Sequence, residues 1–359
     1  MRSSFGGLCD QPLGRLQIEL FVLAGVHLNS RGNPVTGHGE IPQKRGQAAR
    51  EVQIPLRRAP QTRVILKLTP NPTKESLRRM STSSQSPATA DNGPVRELLE
   101  SLCENEDIRV EFLTQLLGRA ACRQLAVYRL PDDFVLSVVV PVYNEVETLP
   151  KLIAAIRDNG VRCEIILVDD GSQDGTREML DTWRDQSDLK IIFHEKNQGK
   201  GAALRTGFVE ATGDAVIIQD ADLEYSPDDY RALLQPIVME GADVVYGSRF
   251  IPGARNVPRL RHYIPNKVLT WWSNLFTNFL LTDMETCYKV FRREIIQKIG
   301  PTLQEKRFGV EPEMTAKLSR IPGLKLREVP IRYFPRTYAE GKKIGWRDGL
   351  RALWCVIRY

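Results

Sequence analysis

Cysteine and histidine are scarce in this chain of 359 residues, and they do not form metal-binding motifs. The chain has six cysteines and four histidines, and no two cysteines form a Cys-x-x-Cys pair. Structural zinc sites are typically built from such closely spaced pairs. Sparse, unpaired cysteines in a large domain are typical of a protein from a reducing compartment. The sequence therefore predicts neither a zinc site nor a disulfide framework.

Long apolar runs are also missing. No apolar segment approaches the roughly 18–20 residues that cross a bilayer. Apolar residues make up 42% of the chain and charged residues 26%, which are ordinary values for a globular protein. This composition excludes a collagen-like, fully disordered or polytopic membrane protein.

Positive charge is concentrated in the N-terminal segment. Residues 1–79 contain 13 Lys or Arg and 5 Asp or Glu, whereas the net charge of the whole chain is +6. The rest of the chain is therefore close to neutral. Composition gives no support for nucleic-acid binding by the protein as a whole.

The N-terminal third divides into three segments. Residues 1–79 have no sustained apolar period and are predicted to be an unstructured basic segment, and residues 80–94, rich in Ser, Thr, Pro and Ala, are predicted to be a linker. Two interpretations of 1–79 remain open: the segment belongs to the protein, or the gene start is placed too early and the chain begins at Met80. Residues 95–133 have apolar residues at three- and four-residue spacing, which predicts a short helical region.

From residue 134 to 359, apolar strands alternate with amphipathic helices. Strands are predicted at 135–142, 164–168, 189–193, 215–218 and 243–246, and helices at 147–157, 176–183, 200–211 and 227–239. Nearly continuous Val and Ile strands are typical of a parallel sheet that is buried on both faces. We therefore predict an α/β fold with a Rossmann-like, mostly parallel sheet and helices on both faces.

Acidic residues follow three of these strands, at the edge where open α/β sheets bind ligands. Capping of the next helix explains one acid per loop, but it does not explain Asp220, Asp222 and Glu224 on one short loop. Like charges so close repel each other unless a cation lies between them. Hard oxygen ligands suit Mg²⁺ or Mn²⁺. The sequence therefore predicts a divalent-cation site on this loop.

Two other nucleotide-binding folds are disfavoured by the glycine pattern. The first predicted strand is followed by Asn-Glu-Val-Glu at 144–147, without the Gly-x-Gly-x-x-Gly of dinucleotide-binding proteins. The Gly-Lys-Gly at 199–201 lacks the spacing of a P-loop and is better explained as the entry to a helix.

Five motifs, in order and at the ends of the predicted strands, resemble those of family 2 glycosyltransferases with the GT-A fold. They are Val-Val-Val-Pro-Val-Tyr-Asn-Glu at 138–145, Val-Asp-Asp-Gly-Ser at 168–172, Gly-Lys-Gly at 199–201, Asp-Ala-Asp at 220–222 and Gly-Ser-Arg at 247–249. Within that family the resemblance is strongest to dolichol-phosphate mannosyltransferases and polyprenyl-phosphate glycosyltransferases. It extends from about residue 134 to the C-terminus.

The resemblance implies a role for each matching residue. The nucleotide base and ribose would be lined by Pro141, Tyr143, Glu145, Val168 and Asp170. Mg²⁺ or Mn²⁺ on the donor diphosphate would be held by Asp222 and Glu224, with Asp220 and Ala221 beside them, and the phosphates would be faced by Arg249, Arg336 and Lys342. Of these, Asp220, Asp222 and Arg249 would be the catalytic residues. Thr-Cys-Tyr-Lys at 286–289 departs from the Ser-Gly-Phe-Arg of the family and leaves the identity of the sugar open.

The cationic residues after the fifth predicted strand predict the acceptor of the sugar. A lipid phosphate is already an anion at pH 7, so it needs cations rather than a general base. Cationic residues follow the fifth predicted strand at Arg249, Arg255, Arg259, Arg261 and Lys267. A solvated surface is the alternative explanation for these residues.

Residues 264–281 predict an amphipathic helix that lies in a membrane interface. Its apolar face contains Trp271, Trp272, Leu275, Phe276, Phe279 and Leu280, and its other face is polar but uncharged. Tryptophans with flanking cations suit an interfacial position. A helix buried in the core is the alternative.

Together these features predict a metal-dependent, inverting hexosyltransferase. It would move mannose or glucose from GDP-mannose or UDP-glucose to polyprenyl or dolichyl phosphate, as a peripheral protein on the cytoplasmic face of a membrane, and would not bind nucleic acid. One alternative is a family 2 enzyme that extends a soluble or cell-envelope saccharide. The other is a non-catalytic scaffold that binds nucleotide sugars.

Overall fold

The computed structural model describes residues 17–23, 50–56, 59–69, 106–251, 260–335 and 346–359. The chain forms two compact units, Met1–Arg129 and Leu130–Tyr359.

The first unit contains a small antiparallel sheet and two helices. The strands are β1 (Gln17–Leu23), β2 (Arg50–Leu56) and β3 (Ala59–Thr69), in the order β1-β3-β2, and the helices are α1 (Glu106–Leu117) and α2 (Arg119–Gln124). The two helices lie within the region 95–133 that was predicted to be helical, of which 95–105 lie outside the described residues.

The three strands differ from the prediction that residues 1–79 are unstructured. The register of the sheet pairs Val64 with Val22 on one side and with Ile54 on the other. The first of these partners is about forty positions away, and local periodicity carries no signal for such a distant pairing.

The second unit is built on a seven-stranded sheet. Its strands are β4 (Leu136–Val142), β5 (Cys163–Asp169), β6 (Leu189–Phe193), β7 (Ala215–Ile218), β8 (Val244–Ser248), β9 (Lys289–Arg292) and β10 (Leu326–Pro330). They lie in the order β10-β8-β9-β7-β4-β5-β6. All neighbours are parallel except β9, which runs antiparallel to β7 and β8.

Helices cover both faces of this sheet. They are α3 (Leu149–Asp158), α4 (Thr176–Asp181), α5 (Lys200–Glu210), α6 (Tyr230–Glu240), α7 (Leu260–Thr277), α8 (Arg293–Ile299), α9 (Val310–Ser319) and α10 (Trp346–Arg358). Helices α5, α8 and α9 share one apolar cluster with strand residues such as Val139. The next strand residue, Val138, points to the opposite face and is also buried. The prediction of a GT-A-type, mostly parallel sheet between helices is therefore confirmed.

All five predicted strands of the sheet are present, but β9 and β10 were not predicted from the sequence. Both are short and carry charged residues, including Lys289 in β9 and Glu328 in β10, so they lack an apolar run. Within the described part of the chain, none of the helices is long and apolar enough to cross a bilayer.

A chain that begins at Met80 is expected to fold and to keep its activity. The main apolar cluster of the second unit uses residues from Val139 onwards, so removal of residues 1–79 leaves that core complete. A thermal melt and a transfer assay on the full and shortened chains check this. An insoluble or inactive shortened chain beside an active full chain would show that the segment is structural.

Candidate active site

The loops after β4 and β5 are held together by hydrogen bonds between backbone and side chains. The backbone N–H of Asn144 donates to Ser172 Oγ at 2.9 Å, and the Asn144 side-chain oxygen accepts from the N–H of Gln173 at 2.8 Å. The N–H of Glu145 donates to Thr176 Oγ1 at 3.0 Å. Asn144 has a φ of +54°, a left-handed conformation that Asn tolerates better than most residues. The strand ends therefore present one defined loop surface.

Three of the five predicted nucleotide-binding residues are accessible at these strand ends, and two are buried. Pro141, Tyr143 and Glu145 are partly exposed. Val168, in contrast, is completely buried and belongs to the apolar cluster beneath α5. Because its position in β5 points the side chain into the core, the Val168 side chain does not line a nucleotide pocket.

Asp170 is buried and binds groups of the protein itself. Its two carboxylate oxygens accept from the N–H groups of Gln198 at 2.9 Å and Gly199 at 2.7 Å, and Oδ1 lies 2.7 Å from His194 Nδ1. Gly199 has a φ of +100°, and a Cβ there would lie 2.3 Å from the carbonyl oxygen of Lys306. Only glycine fits such a position. Asp170 therefore anchors the turn that starts α5, beside the place predicted for the nucleotide.

The three carboxylates of the 220–224 loop have three different partners. Asp220 Oδ1 lies 2.8 Å from the Lys200 ammonium, Asp222 Oδ1 accepts from the N–H of Glu224 at 3.1 Å, and Glu224 Oε2 accepts from the Tyr333 hydroxyl at 2.9 Å. Among the residues that the structure describes, no three His, Cys, Asp or Glu side chains are grouped to hold a metal. The loop therefore does not form the predicted three-carboxylate site, since a lysine and a tyrosine already engage two of its acids.

The loop nevertheless fits a cation that is shared with a diphosphate. Mg²⁺ in phosphate-transfer sites is usually bound by one or two carboxylates, by substrate phosphates and by water. Ala221 is buried, whereas Asp220, Asp222 and Glu224 are each partly exposed. A cation bound here would use Asp222 as its principal protein ligand, with the phosphate oxygens of the donor completing the shell.

Lys200 stabilises the ionised form of Asp220. Burial alone would raise the pKa of Asp220, but the positive charge of Lys200 outweighs it, and the pKa lies below its usual value. The pKa of Lys200 is raised well above normal, since Asp220, Cys287 and Glu311 together outweigh the cost of burying the ammonium. The two side chains therefore form a buried ion pair at the centre of the site.

Arg249 is also buried in an ion pair. Its Nε and Nη2 donate to the two oxygens of Asp283 at 2.7 and 2.8 Å, and its guanidinium stacks over the ring of Tyr333, 5.0 Å from the centroid. These bonds to Asp283 use two of the five N–H groups of an arginine. The fork is thus fixed beside the acidic loop, where the remaining N–H groups can reach an anion.

Two carboxylates of the site were missed by the sequence analysis. Glu311, in the first turn of α9, accepts from Lys200 at 3.0 Å and is almost completely buried. Glu285 lies near it, and burial together with the negative charge of Glu311 raises the pKa of Glu285 to about 7. Glu311 looks like an ordinary first-turn acid of a helix, and Glu285 lies in a turn between α7 and β9, so the sequence offered no signal for either residue.

Helix α7 has its polar side turned inwards and its apolar side exposed. Thr270, Ser273 and Thr277 are buried, whereas Trp271 and Leu275 are each 62% exposed. This polarity is opposite to that of an ordinary surface helix. The helix is therefore not enclosed in the core. It ends at Thr277 and not at residue 281, so Phe279 and Leu280, which were predicted for the apolar face, lie beyond it, and Phe279 packs against the main apolar cluster.

The polar side of α7 binds the segment that carries Asp283. The hydroxyl oxygen of Thr270 accepts from the N–H of Met284 at 3.1 Å, and the side chain of Asn274 exchanges two hydrogen bonds with the backbone of Leu281, at 2.8 and 3.0 Å. The exposed apolar helix is therefore connected directly to the partner of Arg249.

Helix α10 packs beside α7 and also exposes apolar residues. The indole N–H of Trp272 donates to the carbonyl oxygen of Leu353 at 3.1 Å. Leu350, Trp354 and Ile357, spaced along one side of α10, are exposed. The exposed apolar residues of the two helices, which we call the two-helix surface, are Ile264, Val268, Trp271, Leu275, Phe276, Leu350, Trp354 and Ile357.

Several predicted cations lie outside the described residues. These are Arg255, Arg259, Arg336 and Lys342, and the side chain of Arg261 is not described either. Lys267 is described: its ammonium donates to the carbonyl oxygen of Thr282 at 2.9 Å and lies 4.9 Å from the ring centroid of Phe250.

Comparison with known proteins agrees with the sequence motifs. The sequence model for glycosyl transferase family 2 matches residues 137–300. An undecaprenyl-phosphate mannosyltransferase of Micrococcus luteus is 30% identical over 241 residues, which cover 61% of this chain and 96% of that protein. A polyprenol monophosphomannose synthase of Mycolicibacterium smegmatis is 31% identical over 220 residues, which cover 58% of this chain and 80% of that protein.

Among solved structures, one similar chain is the glucosyl-3-phosphoglycerate synthase of Mycobacterium tuberculosis in complex with Mn²⁺, uridine diphosphate and phosphoglyceric acid. It is 20% identical, with a TM-score of 0.47, and the match covers 63% of this chain and 78% of that one.

Proposed function

Since this chain belongs to glycosyl transferase family 2, we propose that it transfers a hexose, mannose or glucose, from a nucleoside diphosphate sugar to a polyprenyl or dolichyl phosphate. The names of its relatives in Micrococcus luteus and Mycolicibacterium smegmatis support a polyprenyl phosphate as the acceptor.

The observation that carries this proposal is the double role of α7. Its inner side holds the segment of Asp283, and therefore the guanidinium of Arg249, while its outer side exposes Trp271 and Leu275. A polyprenyl phosphate has the same two parts, an anionic head and an apolar chain. The head suits a site that contains Arg249, and the chain suits the two-helix surface beside it.

The chemistry of the site suits an acceptor that needs no general base. A phosphate monoester is already an anion at pH 7, so it can attack the anomeric carbon in line and invert its configuration. Both ring nitrogens of His194 are engaged, Nδ1 with Asp170 and Nε2 with Thr206 at 3.0 Å. This histidine therefore serves to position Asp170, and the site has no need of it as a base.

The reaction also requires that the negative charge on the departing nucleoside diphosphate be stabilised. A bound Mg²⁺ or Mn²⁺ would supply a positive charge next to the departing nucleoside diphosphate. Asp222 would hold that ion, and Arg249 would donate hydrogen bonds to the phosphates from a fixed position. Arg336 and Lys342, which lie outside the described residues, are proposed to close over the donor.

The experiment that tests the function combines donor and acceptor panels. The purified protein is incubated with Mn²⁺ and with GDP-mannose or UDP-glucose, in the presence and absence of undecaprenyl phosphate in detergent. We expect one donor to yield a glycosylated lipid phosphate, and the product to be absent without the lipid. Transfer to a soluble saccharide instead would favour the alternative of a saccharide-extending enzyme, and donor binding without any transfer would favour a scaffold.

The two-helix surface also supports a location of the protein at a membrane. We propose that the protein is peripheral on the cytoplasmic face of a membrane, held by the two-helix surface. Arginines near Trp354 suit contact with anionic headgroups: the guanidinium groups of Arg351 and Arg358 lie 5.0 and 4.7 Å from its ring centroid.

A further inference from the structure

A cavity of about 410 Å³ opens where the segment before α9 meets α10. Residues of the candidate active site such as Asp222 and Arg249 are not among the described residues that line it. Its lining includes three cationic side chains, one anionic side chain and one aromatic ring, which belong to Lys306, Arg307, Arg351, Glu305 and Phe308. The cavity is therefore a positively charged feature of the second unit that the proposed transfer reaction does not use.

A buried glutamate fixes one wall of this cavity. Glu305 is 5% exposed, and its two carboxylate oxygens accept from Nη2 and Nε of Arg351 at 2.8 and 3.1 Å. Burial alone would raise the pKa of Glu305, but the bonds from Arg351 outweigh it and hold the pKa below its usual value. A Cβ at Gly309 would lie 2.8 Å from Glu305 Oε2 and 2.8 Å from Cys355 Sγ, so a larger residue there would push the wall away from α10.

The other two cations carry charge that the protein does not compensate. Lys306 and Arg307 are exposed, and in the part of the chain that the structure describes neither side chain has a hydrogen-bond or ion-pair partner. Arg351 uses two of its five N–H groups on Glu305 and has three left. The cavity therefore offers a net positive charge and free hydrogen-bond donors, which together suit a phosphate group.

Arg351 joins this cavity to the two-helix surface. Its guanidinium lies 5.0 Å from the ring centroid of Trp354, and Trp354 is one of the exposed apolar residues of that surface. Phe308 adds a partly exposed aromatic ring to the lining. A phosphate held in the cavity would therefore have apolar groups beside it, which suit a ligand with an anionic head and apolar chains.

We propose that this cavity binds the phosphate headgroup of an anionic phospholipid, whose acyl chains lie beside Trp354. Arg307 and Arg351 would donate hydrogen bonds to the phosphate oxygens, and Lys306 would supply a further positive charge. The inference rests on the membrane contact proposed above, but it does not depend on the transfer reaction. A bound headgroup would fix the orientation of the protein on the membrane at a point separate from the acceptor.

Short-chain lipids that stay monomeric in water test this cavity without a membrane. Dihexanoyl phosphatidylglycerol, titrated into the full chain and followed by calorimetry, should bind with one-to-one stoichiometry. Lys306→Gln combined with Arg307→Gln should weaken this binding by about twentyfold or more, since each cation beside anionic lipid contributes a factor of about five. Both side chains are exposed, so the variant should keep its fold, which a melting curve checks.

Arg358→Gln is the matched control. It removes another exposed cation, whose guanidinium lies 4.7 Å from the same Trp354 ring but does not line the cavity. Its binding of the monomeric lipid should stay within about twofold of the wild type. Two further probes separate head from chain: dihexanoyl phosphatidylcholine and inorganic phosphate should each bind at least about tenfold more weakly than the phosphatidylglycerol.

Three results would overturn the inference. They are unchanged binding in a folded Lys306 and Arg307 double variant, an equal loss in Arg358→Gln, and inorganic phosphate that binds as tightly as the lipid, which would assign the cavity to a soluble phosphate. Each of these results can occur in a protein that transfers hexose normally. Failure of the proposed function would instead appear as wild-type protein without a glycosylated product, and failure of the membrane contact as wild-type protein that does not bind vesicles.

Discussion

Replacing Asp222 with Asn is expected to lower transfer by at least about 10²-fold, the cost of losing one charge-stabilising group at a preorganised site. The amide keeps the size of the side chain and can still accept the hydrogen bond from the N–H of Glu224, so the loop should keep its conformation. What it loses is the negative charge that would hold the cation against the donor diphosphate. Initial rates at saturating donor, together with Mn²⁺ affinity in the presence of nucleotide, check both consequences.

Asp228→Asn is the matched control for this variant. It makes the same chemical change six residues later, at a side chain that is 66% exposed and paired with Arg332 at 3.1 Å. An exposed ion pair contributes little to stability, so its transfer rate should stay close to that of the wild type. Wild-type turnover by the Asp222 variant, or by the unmodified protein in excess EDTA, would contradict a cation held at this position.

Removing apolar side chains from α7 is expected to release the protein from lipid vesicles. Trp271→Ser combined with Leu275→Ser removes two exposed side chains of the two-helix surface. At about 25 cal/mol per Å² of buried apolar area, this loss weakens binding by a few kcal/mol, or by a factor of tens or more. Transfer to long-chain polyprenyl phosphate should fall with it. Transfer to a short, water-soluble isoprenyl phosphate should change much less, since the acidic loop and Arg249 are untouched.

Trp272 is left unchanged in this variant because its indole N–H bonds to Leu353 and holds α10 against α7. The control pair is Val209→Ser and Met239→Ser, which removes apolar side chains of similar exposure, 64% and 57%, from other helices. Co-sedimentation with anionic vesicles and a melting curve separate the possible causes. A Trp271 and Leu275 variant that still sediments with vesicles, or one that loses both activities along with its thermal stability, would contradict a membrane contact here.

The parallel core of the second unit is well predicted by the sequence, because its strands are apolar runs and most of them are buried on both faces. The run of Val residues in β4 predicts a central strand. The acids after β5 and β7 lie at the predicted edge, where the parallel strands have their carboxyl ends. Strand β6 matches its predicted residues, 189–193, without error. Local periodicity and turn residues are sufficient for such elements.

Contacts between residues that are far apart in the sequence could not be predicted from local periodicity. Lys200 and Glu311 are more than a hundred positions apart, and neither residue differs locally from an ordinary charge near the start of a helix. Arg249 pairs with Asp283, and this pairing depends on the path of the chain after α7. Val168 was misplaced because a motif names residues without saying which face of the strand they occupy.

The reversed polarity of α7 also restricts which substitutions this helix can accept. On an ordinary surface helix, exposed positions accept almost any polar residue and buried positions demand apolar ones. On α7, inward-facing positions such as Thr270 and Asn274 require polar groups that hydrogen-bond the backbone of the segment around Asp283. With the proposed membrane contact, the exposed positions should accept one large apolar residue in place of another, because a lipid phase selects for hydrophobicity and not for shape. In this helix, polar residues should therefore be accepted at buried positions and apolar residues at exposed ones, the opposite of the other helices of the domain. An alignment based on burial alone would place this helix in the wrong register.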